Sequence, residues 1–313
     1  MTRPVAVALR AIGLGDFLTG LPALQLLRRA LPGHELVLAA PEVFAPIVEL
    51  VPAVDRLAPT GELMPLDRQL MPVDVAVDLH GNGLASRALL IDLDPRRVVG
   101  FAHSGAGLDG PTWYAGEHEV HRWCRLVAEA FDLPPDGWPG VAGSVGVPSV
   151  PMPVGLTVVN PGAAAGSRRW PPDRFTAVAQ ELGRQGHRVV VTGGGAETGL
   201  AEGIAERSGA TAMLGLPLSQ LFALVAGARL VVSGDTGVAH VASAYRTWSV
   251  ILFGPVSPAA WGPPPDPRHV VLFHGDGSGD PHGDEPDPDL LRIGVDEVLA
   301  AVESTHSLRE DST

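Results

Sequence analysis

The residues best placed for chemistry follow an apolar run that ends near residue 233. Residues 230–233 have the pattern of a buried strand, Asp235 and Thr236 follow, and Gly237 opens an apolar helix that contains His240. Polar groups at the carboxyl end of a strand meet free backbone N–H groups and the positive end of the helix dipole. Since a structural turn needs only glycines, this pattern predicts a binding site. His240 either contacts the ligand or is a packed side chain.

A second carboxylate, Asp16, follows Gly13 and Gly15 where the first predicted strand meets the first predicted helix. Asp at such a junction serves either as a general base or as the N-cap of the helix, and the residue pattern suits both roles. The glycines do not form a dinucleotide-binding fingerprint, because the third, Gly20, comes too late. NAD is therefore not expected.

The composition of the 313-residue chain excludes several classes of protein. The net charge is −13 and no basic stripe is present, so we expect no nucleic-acid partner. The single Cys124 excludes an internal disulfide framework and a thiolate metal cluster. No apolar run suits a signal peptide or a membrane span, and we therefore expect a cytoplasmic protein.

Short β-branched runs alternate with helical patterns, which is typical of parallel sheets wrapped by helices. The predicted strands are 5–9, 35–39, 73–78, 97–100, 156–160, 188–192, 211–214, 230–233 and, as the last strand, 249–253. The predicted helices are 17–30, 41–50, 84–91, 120–131, 173–185, 197–208, 219–226, 238–244 and 295–303. The pattern predicts an α/β protein.

A proline-rich stretch from Pro134 to Pro153 separates two such series and has the composition of a linker or hinge. We predict two Rossmann-like, doubly wound parallel-sheet domains, at residues 1–150 and 151–313, which close around a ligand. The last helix has an apolar face that either crosses back to the first domain or covers its own sheet. The sequence leaves both arrangements open.

Four blocks, taken in order, resemble the heptosyltransferase-like enzymes of glycosyltransferase family 9. They are 9–16 (Leu-Arg-Ala-Ile-Gly-Leu-Gly-Asp) with 22–24, 160–162 leading to 167–171 (Ser-Arg-Arg-Trp-Pro), 192–194 with Glu197, and 234–237 with His240 and 252–255. Weaker matches at 77–81 and 118–120 extend the resemblance over most of the chain. The resemblance implies the GT-B arrangement, with the acceptor on the N-terminal domain and the nucleotide sugar on the C-terminal domain.

The resemblance also assigns roles to residues. It makes Asp16 the general base that takes the proton from the attacking acceptor hydroxyl. The leaving nucleoside diphosphate needs cations, and Arg168 and Arg169 are the candidates, with Arg168 standing where the family usually has lysine. The alternative is that both arginines are merely solvated. Alanines at 163–165 replace hydroxyl residues common in the family, so backbone N–H groups must contact the phosphates.

Further residues are candidates for binding the donor. We expect Asp235 to meet the donor, and Thr236 and the Gly237 backbone N–H to contact its diphosphate. Glu197 either accepts from a pair of ribose hydroxyls or simply complements a helix dipole. Met213 either lines the pocket for the nucleobase or fills the core.

An acidic loop at 274–289 carries side chains that can bind metal ions. They are His274, Asp276, Asp280, His282, Asp284 and Glu285. Their spacing fits no known metal-binding loop, and the glycine and proline content equally suits a solvated lid. We expect no bound metal and no other cofactor.

We therefore predict an inverting, metal-independent glycosyltransferase of cell-envelope glycan biosynthesis. It moves a heptose or a related sugar from an ADP- or GDP-linked donor to a glycan or glycolipid acceptor. The alternatives are a sugar-nucleotide epimerase or hydrolase on the same fold and a non-catalytic nucleotide-sugar-binding protein. A peripheral position at the inner face of the membrane stays open.

Overall fold

The computed structural model describes residues 3–310. The chain divides into two compact units, Met1–Gly146 and Val147–Thr313. Each unit is a parallel sheet with helices packed on it and a buried core of its own, so the predicted α/β class is confirmed. Among the described residues, no helix combines the length and the apolar character needed to cross a membrane.

The first unit contains a five-stranded sheet. Along the chain it consists of β1 (Val5–Leu9), α1 (Leu14–Ala30), β2 (Glu35–Ala40), α2 (Ala45–Val48), β3 (Arg56–Pro59), β4 (Val73–Asp78), α3 (Leu84–Ile91), β5 (Arg97–Val99) and α4 (Glu119–Ala130). The strand order is β3-β2-β1-β4-β5, and all the pairings are parallel. The order reverses between β1 and β4, and ligands of doubly wound sheets bind beside the carboxyl ends of such strands.

The second unit contains a six-stranded sheet. It consists of β6 (Thr157–Asn160), α5 (Pro172–Arg184), β7 (Val189–Gly193), α6 (Thr198–Ser208), β8 (Thr211–Leu214), α7 (Leu218–Ala226), β9 (Leu230–Gly234), α8 (Gly237–Tyr245), β10 (Ser249–Leu252), α9 (Pro258–Trp261), β11 (His269–Leu272), α10 (Pro288–Leu291) and α11 (Val295–Glu310). The order is β11-β10-β9-β6-β7-β8, and the chain direction across the sheet changes between β6 and β9. The turns after these two strands therefore share one crevice.

The structure differs from the predicted elements in several places. The first helix begins at Leu14 rather than at residue 17, and the helix predicted at 41–50 is a 3-10 turn, Glu42–Phe44, followed by the short α2. The edge strand β3 has only four residues and ends in proline, so it showed no alternating pattern. The strand at Ser249–Leu252 is not the last, because β11 pairs beside it.

The last helix, α11, packs against α5, β10 and β11 of its own unit. Val298 and Val302 are fully buried and belong to the core that includes Trp170 and Leu290. Of the two arrangements that the sequence left open, these contacts are those of a helix that covers its own sheet.

Candidate catalytic and donor-binding sites

Asp16 is the third residue of α1, in its first turn. The N-cap of this helix is Gly13, and no side chain caps it. The interpretation of Asp16 as the N-cap is therefore wrong. The Asp16 side chain is 26% exposed and stands beside the carboxyl end of β1, where a ligand can reach it.

Arg10 holds the turn that carries Asp16. Its guanidinium is 1% exposed and donates to the backbone carbonyls of Asp16 and Leu79 and, at 3.0 Å, to the Thr19 hydroxyl. One of its nitrogens lies 3.6 Å from Asp16 Oδ1. Burial lowers the pKa of Arg10 to about 10, so it stays charged at neutral pH. A Cβ at Gly20 would lie 2.5 Å from Arg10 Cδ, so glycine makes room for the guanidinium.

A second helix supports Arg10 from the other side. Glu119, at the start of α4, lies 3.5 Å from the Arg10 guanidinium and accepts a hydrogen bond from Trp123 Nε1 at 2.7 Å. Arg122 also forms an ion pair with Glu119, and the Arg10 guanidinium lies 4.8 Å above the Trp123 ring. The weak sequence match at 118–120 thus marks part of the network around Asp16.

Asp78 closes the neighbouring strand β4 and is fully buried. Ser86 Oγ donates to it at 2.9 Å, and Arg87 Nε lies 3.6 Å away. Burial raises the pKa of Asp78, and the nearby hydrogen bonds and Arg87 oppose that effect. Its side chain is thus used in holding the carboxyl ends of the sheet.

The second unit brings together three of the predicted donor-binding residues. Arg168 Nη1 lies 3.8 Å from Asp235 Oδ2, and His240 Nε2 lies 3.9 Å from Asp235 Oδ1. Asp235 and His240 are buried, whereas the Arg168 side chain is 25% exposed. The carboxylate therefore orients a cation that still reaches solvent at the crevice.

Thr236 and Gly237 begin α8 where the sequence predicted a helix N-terminus. Thr236 is the N-cap, but its hydroxyl lies 3.0 Å from Ser233 Oγ and does not cap the helix. The first-turn N–H groups that a side-chain cap would occupy thus lie at the carboxyl end of β9, as an anion-binding terminus requires.

Glu197 and Arg169 hold the turn after β6 between them. The Ala163 backbone N–H donates to the Glu197 carboxylate, and Arg169 Nε donates to the Ala163 carbonyl at 2.9 Å. Burial raises the pKa of Glu197, and Arg169 opposes that effect. A Cβ at Gly162 would lie 2.1 Å from Glu197 Oε2. Both side chains therefore shape the backbone turn that leads to Arg168.

The 3-10 turn Gly166–Arg168 carries two buried polar side-chain atoms that can still form hydrogen bonds. Within residues 3–310, the buried Ser167 Oγ and Arg168 Nε have no hydrogen-bond partner. The acidic loop crosses this turn, since Ser167 N donates to the Gly283 carbonyl at 2.8 Å and Asp287 N donates to the Ser167 carbonyl at 3.1 Å. Polar atoms and loop thus meet beside the donor-binding candidates.

Several acids of the loop 274–289 are engaged in local turns or ion pairs. Asp276, Asp280 and Asp287 each accept from a backbone N–H two residues ahead, and His274 lies 2.9 Å from Glu297. In the described part of the chain, no group of three or more His, Cys, Asp or Glu side chains could hold a metal ion.

Comparison with known proteins identifies the family. Residues 73–277 match the profile of glycosyltransferase family 9 (heptosyltransferase). The chain belongs to glycosyltransferase family 9. The match spans both units, from β4 to the acidic loop, and makes the protein a glycosyltransferase.

Individual relatives agree with this membership. Lipopolysaccharide heptosyltransferase 1 of Pseudomonas aeruginosa is 28% identical over 292 residues, covering 80% of this chain and 78% of its own. The solved ADP-heptose lipopolysaccharide heptosyltransferase II of Escherichia coli superposes with a TM-score of 0.79 at 21% identity, over 98% and 99% of the two chains. The E. coli heptosyltransferase WaaC, solved with ADP, gives 0.77 at 20% identity, over 96% and 99%. These structures support the two-sheet fold of the family.

Met213 is the third of the four residues of β8. It lines a cavity of about 390 Å³ with Leu156, His187, Arg188 and Thr211, residues at the amino ends of the strands. In the sheet it stands opposite Thr192. Its contact with a nucleobase stays a prediction.

Arg10, Glu119 and Ser167 were not among the functional residues predicted from the sequence. Arg10 carried a signal, because a charged residue directly after a buried strand seldom lies fully inside a protein without a specific partner. Glu119 lay in a weak family match, and Ser167 in a strong one, but the burial that makes each matter comes from packing between distant segments.

Proposed function

We propose that this protein is an inverting glycosyltransferase that moves a heptose or a related sugar from a nucleoside diphosphate donor, ADP-heptose first, to a glycan or glycolipid acceptor. Membership of family 9 supports the reaction class. The names of the relatives, which refer to lipopolysaccharide, heptose and ADP, support the donor and the acceptor. We assign the acceptor to the first unit and the donor to the second, and we propose a cytoplasmic protein that meets its acceptor at the inner membrane face.

In the proposed reaction, Asp16 takes the proton of an acceptor hydroxyl, and the oxygen of that hydroxyl attacks the anomeric carbon of the donor. The bond from that carbon to the diphosphate oxygen breaks, and attack from the opposite face inverts the configuration. The leaving diphosphate carries negative charge, which Arg168 and the N-terminus of α8 stabilise without a bound metal. Thr236 and Gly237 contact the same phosphates, and Asp235 orients Arg168.

The observation that carries the proposal is the setting of Asp16. A partly exposed carboxylate is kept at the carboxyl end of β1 by a fully buried arginine, which itself depends on Glu119 and Trp123. Such a setting suits a general base, because proton transfer requires a carboxylate in a fixed position that a ligand can still reach.

The direct test is transfer with purified components. The protein is incubated with ADP-heptose, GDP-heptose or ADP-glucose and with O-deacylated, heptose-free lipopolysaccharide, and release of nucleoside diphosphate is measured with and without EDTA. We expect ADP-heptose to be used best, EDTA to leave the rate unchanged, and the product to have the inverted anomeric configuration by NMR. Hydrolysis of the donor at the same rate without acceptor would contradict the proposal.

A further inference from the structure

His80 lies close to the proposed base but belongs to the neighbouring strand. It follows Asp78, the last residue of β4, by two positions, and Asp78 pairs with Leu9, the last residue of β1. Because β1 leads into the turn with Asp16, the two parallel strands deliver His80 and Asp16 to the same edge of the sheet. Both residues belong to the first unit.

The hydrogen bonds of His80 determine its tautomer. The Ala11 backbone N–H, which can only donate, points to His80 Nδ1 at 3.3 Å, so this ring nitrogen is the acceptor. The neutral ring must then carry its proton on Nε2. The backbone N–H of His80 donates to Asp78 Oδ1 at 3.1 Å and fixes the residue at the strand end.

The Nε2–H group is available to a ligand. Across residues 3–310 it has no hydrogen-bond partner, and it is not among the fully buried polar atoms. Burial lowers the pKa of His80, and Arg10 acts in the same direction against the carboxylates of Asp78, Glu62 and Asp16. The ring is therefore neutral at pH 7 and offers one oriented donor.

We propose that His80 is an acceptor-binding residue, whose Nε2–H donates to a sugar hydroxyl oxygen next to the hydroxyl that Asp16 deprotonates. This inference rests on the proposed function and adds a specificity contact to it. A neutral hydroxyl suits the position better than an anionic group, because the carboxylates of Asp78, Glu62 and Asp16 all act on the ring, together with the Arg10 cation. His80 thereby fixes which acceptor hydroxyl Asp16 meets.

The test compares His80→Leu with His80→Gln. Leucine fills a similar volume without a donor, whereas the amide of glutamine can accept from Ala11 and donate near the position of Nε2. The probes are ADP-heptose and O-deacylated, heptose-free lipopolysaccharide. We expect His80→Leu to raise the acceptor KM about tenfold, the effect of one lost hydrogen bond, with the donor KM within about twofold. His80→Gln should recover most of the loss.

His34→Leu is the matched control, because His34 pairs with Asp74 at 2.7 Å at the amino ends of β2 and β4, the opposite edge of the sheet from His80. It should leave the acceptor KM unchanged, and thermal unfolding should show that all variants are folded. If the parental enzyme is active but His80→Leu leaves the acceptor KM unchanged, or raises the donor and acceptor KM together, the role of His80 is overturned and the proposed function stands. A parental enzyme that transfers nothing to this acceptor overturns the proposed function, and the role of His80 with it.

Discussion

At the scale of residues, the two candidate sites place their charged groups in opposite ways. Around Asp16, a buried cation is surrounded by acceptors, and the carboxylate is left with an accessible edge. Around Arg168, a buried carboxylate, Asp235, orients a cation that keeps an accessible edge. The first arrangement suits removal of a proton, and the second suits stabilisation of an anion.

We expect Asp16→Asn to lower turnover by roughly a hundredfold or more, because the amide cannot accept the proton. Donor affinity should stay within a few fold, and the fold should be kept, since Arg10 binds the backbone carbonyl of Asp16 and not mainly its side chain. Steady-state kinetics and calorimetric titration with ADP measure the two quantities. Turnover at the parental rate would remove Asp16 from the mechanism.

We expect Arg168→Ala to weaken binding of ADP by roughly 1.5–3 kcal/mol, the contribution of a charge-assisted hydrogen bond. Binding of adenosine should hardly change, because the nucleoside has no diphosphate. Arg184→Ala, at an exposed position that pairs with Glu181 on the same helix, is the control and should leave both affinities unchanged. Equal losses of affinity for ADP and adenosine would indicate that Arg168 contacts the nucleobase or that the variant is misfolded.

At the scale of elements, the acidic loop depends on a close approach of two backbones. A Cβ at Gly166 would lie 1.6 Å from the Asp284 carbonyl oxygen, so no other residue fits there unless the loop moves. Next to this contact, the backbone of Ser167 forms hydrogen bonds with Gly283 and Asp287. Glycine at 166 thus decides where the loop lies.

We expect Gly166→Ala to destabilise the protein by roughly 1–3 kcal/mol, since the loop must give up its contacts. Gly183→Ala is a control of opposite sign: a Cβ there, within α5, meets nothing, and alanine favours a helix by about 0.5–1 kcal/mol. Chemical denaturation compares the two. A Gly166→Ala protein as stable as the parent would show that the loop is not held by this turn.

A buried histidine between β10 and β11, His269, makes the free energy of unfolding depend on pH. His269 Nδ1 lies 2.8 Å from Ser249 Oγ, and its Nε2 is buried without a partner in the described part of the chain. Burial lowers the pKa of His269 to about 4, so the folded state keeps the ring neutral where the unfolded chain takes up a proton. This part of the stability is present above about pH 6.5 and is lost as the pH falls towards 4.

We expect the second unit to lose on the order of 1–3 kcal/mol between pH 7 and pH 4 through this histidine. His269→Asn removes the titrating group and should flatten that part of the profile. Denaturation midpoints at a series of pH values measure it. Parallel profiles for the two proteins would assign the acid sensitivity to other groups.

At the scale of the whole molecule, each unit has its own sheet and its own buried core. The second core joins the sheet to α5, α6 and α11 and includes Trp170, whose Nε1 donates to the Ile293 carbonyl at 3.1 Å. Residues far apart in the second half thus pack with one another.

We therefore expect residues 147–313, expressed alone, to fold cooperatively and to bind ADP with an affinity within about tenfold of the full chain. This size is ample for an independent core. Circular dichroism during thermal unfolding and calorimetric titration measure the two properties. A fragment that is folded but does not bind ADP would mean that the donor site needs the first unit.

Much of the fold and the type of site could be predicted from local signals. Alternation of β-branched runs and amphipathic helices revealed most strands and helices, because burial on both faces of a parallel strand imposes an unbroken apolar run. Asp235 stood out because a polar residue directly after such a run interrupts a pattern that packing alone would continue. Asp16 was singled out by the glycine-rich junction of the first strand and helix, and Arg168 by the resemblance to family 9. Short edge elements such as β3 and β11 carried too few residues to show a period.

The tertiary structure alone decided how these residues are held. That Arg10 is buried among Asp16, Thr19 and Glu119 depends on α4 packing against α1, and no spacing along the chain encodes that contact. That His80 Nε2 has no partner in the described part of the chain likewise follows from the register of β1 on β4, which directs the Ala11 N–H to the other ring nitrogen. Local residue patterns determine where a strand ends. Which side chains meet there is determined by strand order and helix packing, since those bring together segments that are 69 residues apart for Ala11 and His80 and 109 apart for Arg10 and Glu119.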